Sequence, residues 1–590
     1  MLRIFATHRV RLQTELSSCL WDFTTMPEEG AEPVRMKVTV PSCWENYPGT
    51  RTYRGRACYE RSFRASGNIR LEFKGVSHTA EVFVDGEPVG THYNAYTPFS
   101  SVIRNLAPGI HRLKVCVDNS FNSRSALHVE NDYQTYGGIT RAVALEELGN
   151  VYVTGVHVTP EKREGQWRAR VEVGVRNLET QPFCGQLRLT ITRAGTEESG
   201  GAALAVEDVS QVGASEGMPA CGAGRSVDGG AAVCLLELAG DGEKTLCVDI
   251  CCGEVGEWNP ETPVLYEVSA VICDGQGKAV DDLVDRFGFR EITVRGKDIL
   301  MNGRKLWIKG FCRHEDHPQF GCALPLAAMQ QDLLLMRDMG ANSVRTSHYP
   351  NDEIFLDLCD ETGVLVWEEN HARGLSEEAM RNPNFERQCE DCIREMIGAH
   401  YNHPSIYIWG ILNECASHTE YGKGCYERQL SLIRSLDRSR PRSFASCQFK
   451  TDICFGLADV VSYNIYPLWY HDTPVEEYLR DLYDWVQQTE GAGKPFLITE
   501  VGAGAVYGYR TPEKVKWSEE YQADALEKQL KAILAKEGVS GVYVWQFCDC
   551  RVCDSWFHVR PRTMNNKGIV DEYRRPKLSY AAVRDIFREC

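Results

Sequence analysis

At 590 residues the chain is too long for a single hydrophobic core, and about two to four domains are expected. Its 43% apolar and 25% charged residues are an ordinary globular composition, which sets aside fibrous and disordered classes. A net charge of −17 without any basic stripe sets aside nucleic acid and anionic membranes as partners, so an anionic ligand would have to be held by a local cluster of cations.

The first residues, MLRIFATHRVRLQTELSSCLWDF, contain no apolar h-region, and no run of about 18 apolar residues occurs further on. The expectation is a cytoplasmic protein with no leader and no membrane span, whose 24 cysteines are reduced thiols rather than a disulfide framework. The run Cys548-Asp549-Cys550-Arg551-Val552-Cys553 has the look of a metal site. No second Cys or His pair completes it, so it reads as structural and no metal is expected.

Residues 1–150 read as short strands with turn punctuation. NIRLEFKGV, AEVFVDGEPVG and HRLKVCVDNS alternate apolar and polar residues, and VDGE is a hairpin turn. No helical period intervenes, which predicts a β-sandwich of the jelly-roll kind. Residues 151–290 continue in strands, from VYVTGVHVTP to LYEVSAVICD, and predict a second, Ig-like β-sandwich. A Gly/Ala/Ser-rich stretch between residues 195 and 232 reads as a mobile loop inserted in it.

Over residues 291–590 apolar runs alternate with helical patterns. The runs are KLWIKGF, NSVRTSH, VLVWEE, IYIWGILNE, RSFASC, DVVSYNIY, FLITEV and VYVWQF, separated by amphipathic segments such as LAAMQQDLLLMRDMG and YERQLSLIRSLDR. Eight such βα units predict a (β/α)8 TIM barrel.

In such a barrel the polar residues at the C-terminal ends of the strands are the functional candidates. The fourth run ends in Asn413-Glu414 and the seventh in Thr499-Glu500; the second ends in Arg345, Ser347 and His348, and the sixth in Tyr463, Asn464 and Tyr466. One strand-end glutamate is commonly a salt-bridge partner. Two facing one barrel mouth are the pair that glycoside hydrolysis needs. The turn Asn565-Asn566-Lys567-Gly568 follows the eighth run at the same rim. Asn-x-Lys-Gly is ordinary surface-turn chemistry, and equally an amide and an ammonium set to clamp an anion.

The stretches YNHPSIYIWGILNE (401–414), NSVRTSHYPNDEIFLDLCDETGVLVW (342–367) and FLITEVG (496–502) resemble glycoside hydrolase family 2, as does the order jelly roll, Ig-like sandwich, barrel. The resemblance spans essentially the whole chain. It implies a retaining β-glycosidase with Glu414 as acid/base, Glu500 as nucleophile and a covalent glycosyl-enzyme intermediate. Glu500 would be ionised, assisted by Arg345 and Tyr466, and Glu414 would hold the proton.

Within that family the Asn-x-Lys-Gly turn resembles the β-glucuronidases. The resemblance implies that Asn565 and Lys567 bind the sugar carboxylate and that the substrates are small-molecule or oligosaccharide β-D-glucuronides. Asn413, Asp132, His314, Tyr466, Tyr470 and Trp545 match further sugar-contacting positions. The family's arginine ahead of the turn is matched by both Arg560 and Arg562, with Arg562 favoured. No cofactor is implied, and a homo-oligomer is. A β-galacturonidase or β-galactosidase of the same family, or a carbohydrate-binding protein without turnover, are the alternatives. The segment at 370–384 is shorter than the loop that many relatives fold over the leaving group, and implies a more open mouth.

Overall fold

The structure is a computed structural model that describes residues 1–195, 209–210, 225–228 and 231–589. The loop expected over residues 195–232 lies for the most part outside the described residues.

The N-terminal unit is an eight-stranded antiparallel sheet. Its two longest strands, Arg56–Phe73 and Phe99–Asp118, pair with each other along most of their length. Alternation along Leu20–Met26 sends Trp21 and Phe23 inward while Leu20, Asp22 and Met26 face out. Trp21, Trp44, Tyr59, Leu71 and Val115 make the core. The Asp-Gly hairpin expected from the sequence joins Thr79–Val84 to Glu87–Tyr93, with φ of 53° at Asp85 and 90° at Gly86. One expectation is overturned. Cys58 and Cys116, directly opposite on paired strands, are joined by a disulfide, so these two thiols are not free. A cysteine pair in cross-strand register is invisible until the register is known.

The second unit packs a four-stranded sheet on a five-stranded one. Along Gln166–Asn177 every second residue (Trp167, Ala169, Val171, Val173 and Val175) is buried in the shared core. Each fully buried valine contributes roughly 1.5–3 kcal/mol of hydrophobic stabilisation.

A small three-stranded sheet, Ile292–Leu306, leads into a closed barrel of eight parallel strands. These are Ile308–Cys312, Ser343–Thr346, Leu365–Glu369, Ile406–Ile411, Arg442–Ser446, Val461–Asn464, Phe496–Val501 and Val539–Val544. Each falls on one of the eight predicted runs. The strands are buried on both faces, and so read as continuous apolar segments rather than alternating ones. Helix Glu353–Thr362 shows how the surrounding helices are delimited. The Asp352 carboxylate accepts from the Ile354 N–H at 3.1 Å, and Gly363, at φ 71°, ends the helix.

The N-terminal unit reaches the barrel mouth. The Tyr96 ring stacks on Tyr349 with centroids 3.9 Å apart, and the Arg141 guanidinium donates to Glu315 at 2.9 Å. This docking delivers the segment after Asp118, which carries Asp132, to the C-terminal ends of the barrel strands. Among the described residues no helix is long and apolar enough to cross a membrane.

Candidate active site

Glu500 lies one residue before the end of the seventh strand and is 4% exposed. Its Oε1 accepts from Arg345 Nη1 at 3.0 Å, and its Oε2 from the Tyr466 hydroxyl at 2.5 Å. Arg345, itself fully buried, is spent entirely on aligning its neighbours. Nη2 donates to Asn413 Oδ1 at 2.8 Å, and Nε and Nη2 form a two-pronged pair with Glu369 at 3.0 Å each. Glu369 also accepts from His348 Nδ1 and Trp367 Nε1, each at 2.8 Å. The guanidinium thus has one rotamer available to it, and Glu500 inherits that precision.

Glu414 is presented differently. The fourth strand stops at Ile411, and both Leu412 (φ 47°) and Glu414 (φ 53°) take left-handed backbone. For residues with a Cβ this costs on the order of 1–3 kcal/mol each. The surroundings enforce it: Leu412 N donates to Asn370 Oδ1, Tyr426 donates to Leu412 O, and Glu414 N donates to Ala445 O at 2.9 Å. The outcome is a Glu414 side chain turned into the cavity, where its Oε1 accepts from Asn464 Nδ2 at 2.9 Å. The same amide donates to Asn413 Oδ1 at 3.1 Å, and Asn413 Nδ2 is buried with no partner among the described residues.

Glu414 and Glu500 line one cavity of ≈ 210 Å³ with Asp132, Arg373, Asn464, Tyr466, Tyr470, Trp545 and Lys567. Burial, and after it the charge of Glu414, pushes the Glu500 carboxyl up to about 8 against Arg345 and Tyr466. Two donors, one of them a guanidinium, favour the anion at Glu500.

The opposite end of the cavity is cationic. Lys567, 2% exposed, donates to the Tyr470 hydroxyl at 3.0 Å and lies 5.2–5.8 Å from the ring centroids of Tyr466, Trp469 and Tyr470. Among the described residues no carboxylate forms an ion pair with it. Lys567, then Arg560, hold the Tyr470 hydroxyl below its usual range although burial works the other way. Asn565 Nδ2 donates to Asp132 Oδ2 at 3.2 Å. Burial would raise the Asp132 carboxyl, yet Arg373, then Arg560 and Lys567, hold it well below the usual carboxylate range, so it stays an acceptor.

Two expectations are corrected. Arg562, at φ 59°, turns away to Glu572 at 2.5 Å, whereas Arg560 reaches Asp132 at 3.1 Å. A left-handed residue in the turn redirects the side chain by more than a sequence alignment can register. His314 does not line the cavity. It is buried behind Trp545, edge-on to that ring at 5.4 Å, with Nδ1 at 3.2 Å from the Tyr349 hydroxyl. Burial holds it neutral.

Arg373 is the residue that sequence reasoning missed. It lies 3.1 Å from Asp132 and 3.9 Å from Glu414, inside the short segment 370–384. An arginine within a few residues of a strand end was the available signal. Cys447, His471 and Tyr478 line the mouth and were also missed. In the Cys548–Cys553 run, Asp549 pairs with Lys577 and the Cys553 thiol donates to the Tyr133 carbonyl. The cluster Asp357, Asp360 and His403 is already occupied by Arg3 and by the Asp360–His403 bond at 2.6 Å.

Three family models match the chain: the glycosyl hydrolases family 2 sugar binding domain over residues 22–148, glycosyl hydrolases family 2 over 151–290, and its TIM barrel domain over 292–589. A solved β-galacturonidase of that family from Eisenbergiella tayi, bound to galacturonate, is 60% identical with a TM-score of 0.92, covering 100% of this chain and 99% of that one. A β-glucuronidase from Paenibacillus borealis is 26% identical over 580 residues, 91% of this chain and 89% of its own. A Ruminococcus gnavus β-glucuronidase in complex with D-glucuronic acid shares the fold, with a TM-score of 0.82 at 24% identity over 100% of this chain and 99% of its own.

Proposed function

The chain belongs to glycosyl hydrolase family 2, and we propose that within it this glycoside hydrolase is a retaining β-uronidase that releases a terminal β-D-uronic acid. The observation that carries the sugar class is Lys567: a buried ammonium in an aromatic cage, donating to a hydroxyl and, among the described residues, paired with no carboxylate. A buried cation without a counter-ion is expensive, and an anionic ligand supplies what it lacks. Asn565, which uses one N–H on Asp132, has a second for the same carboxylate. Galacturonide is the favoured substrate, because the E. tayi β-galacturonidase is 60% identical over the full length. β-D-Glucuronide hydrolysis is the second reading, favoured by curated relatives named β-glucuronidase at 25–30% identity.

In the mechanism, Glu500 attacks the anomeric carbon and its charge passes into the new ester bond. Glu414 gives its proton to the departing glycosidic oxygen. Esterification removes the negative charge of Glu500, so Glu414 can then take a proton from water as that water attacks the anomeric carbon and the bond to Glu500 breaks, returning its carboxylate. Asn413 Nδ2, unpartnered among the described residues, donates to the sugar 2-hydroxyl, a bond that tightens in the oxocarbenium-like transition state. Asp132, ionised between two arginines, accepts from the sugar hydroxyls.

Nitrophenyl β-galacturonide, β-glucuronide and β-galactoside assayed side by side test this reading. Turnover of either uronide well above the galactoside is expected. The galactoside as the best substrate, or no turnover of any, would contradict it.

A further inference from the structure

The turn that carries Asn565 and Lys567 has to stand at a fixed distance from Glu500, because the carboxylate and the anomeric carbon belong to one rigid sugar. The Ala505 N–H donates to the Asn566 carbonyl at 2.8 Å, and a buried side-chain joint braces that contact. Lys577, whose side chain is fully buried, donates from one Nζ to the Ala505 carbonyl at 2.7 Å, to Asp549 Oδ1 at 2.7 Å and to the Asn566 carbonyl at 3.2 Å. Ala505 lies four residues past the seventh strand, which bears Glu500. Asn566 is the turn itself. Asp549, in the loop after the eighth strand, also accepts from the Gly568 N–H at 2.8 Å. From the other side Gln522 Nε2 donates to both Ala503 O at 2.9 Å and Gly568 O at 3.0 Å.

Burying an ion pair rarely stabilises a fold more than a well-packed apolar pair does. This one does not line the cavity. Each of its bonds ends on the carboxylate-binding turn, on the segment that follows the nucleophile, or on the other member of the pair. We propose that Lys577 and Asp549 are positioning residues for uronate recognition, which set the placement of Lys567 and Asn565 relative to Glu500. The proposal rests on the uronidase reading of the site. It also gives a role to the Cys548–Cys553 run, whose aspartate rather than its cysteines is the working part.

The test is the double variant Lys577→Met with Asp549→Asn, which leaves no unpaired buried charge and keeps an acceptor for the Gly568 N–H. The expected result is a KM for nitrophenyl galacturonide raised roughly 10- to 100-fold, the scale of an ångström-sized misplacement. Turnover number and the slow kcat/KM for the galactoside should change by less than about threefold, a loss too small to reflect general damage. Gln522→Met, which cuts the neutral link and also removes the acceptor of the Ser579 hydroxyl, should show the same selectivity to a smaller extent and serves if the double variant does not fold. Equal losses on both sugars, or no change on either, would overturn the proposal. Lys567→Ala is measured alongside. If that variant fails to discriminate between the sugars, the uronate reading fails; if it discriminates and the joint variants do not, only the positioning role fails.

Discussion

Arg345 Nη1 stands 3.0 Å from Oε1 of Glu500, and both side chains are buried. The guanidinium is held on its far side by Glu369, so the contact is rigid as well as charged. Glu500 is therefore a rigidly aligned carboxyl group, and Glu500→Ala should abolish turnover while circular dichroism and melting stay close to wild type. Azide should restore part of the rate and give the glycosyl azide of inverted configuration, because only the covalent step is missing. Normal activity in Glu500→Ala would remove the nucleophile assignment.

Glu414 has a different task, and its loss should look different. Glu414→Ala should still be glycosylated by a dinitrophenyl uronide, whose leaving group needs no proton, and fail with a poor leaving group. Burst kinetics separate that step from deglycosylation. A first step slowed equally for both leaving groups would exclude Glu414 as the acid.

The pH dependence follows from the Glu500 carboxyl. It is pushed up to about 8 by burial and by the charge of Glu414, and it attacks only as the anion. The acid limb of kcat/KM should have its midpoint near that pH, and it should move to lower pH in Glu414→Ala assayed with the dinitrophenyl uronide, where the repelling charge is gone. An unchanged limb in that variant would place the proton elsewhere.

Stability carries its own signature. A carboxyl raised from 4.5 to about 8 binds its proton more tightly in the folded state, so this contribution declines as pH rises across that window. On the acid side the sign reverses. His78 and His371 are lowered by burial to about 4 and about 3, so the unfolded chain takes up protons first below 6.5. Stability should fall as pH drops from 6.5 toward 3, which melting curves read directly; a flat profile there would contradict the buried, neutral histidines.

Much of this site was legible in the sequence because barrel chemistry concentrates at strand ends, and strand ends are marked by where an apolar run meets a polar residue. Glu414, Glu500 and Asn464 were found that way. The turn with Lys567 was found from its residue types. Arg560, Arg373 and the Cys58–Cys116 bond were not, and each for a geometric reason. Arg560 was confused with Arg562 because a left-handed φ decides which of them points inward. Arg373 depends on the path of a loop. The cysteine pair depends on strand register. Periodicity shows which elements exist, and none of these three quantities is periodic.

The measurement closest to the central claim is kcat/KM of Lys567→Ala on matched nitrophenyl galacturonide and galactoside, with folding checked by circular dichroism. Removing the ammonium strands the substrate carboxylate at a buried rim, which costs ~2–5 kcal/mol. That is a loss of roughly 30- to several-thousand-fold on the uronide, since each ~1.4 kcal/mol is tenfold. The galactoside has no carboxylate to strand, and its slow turnover should hold or rise. A Lys567→Ala variant that slows both sugars equally, or neither, would contradict the claim that this lysine reads the uronate.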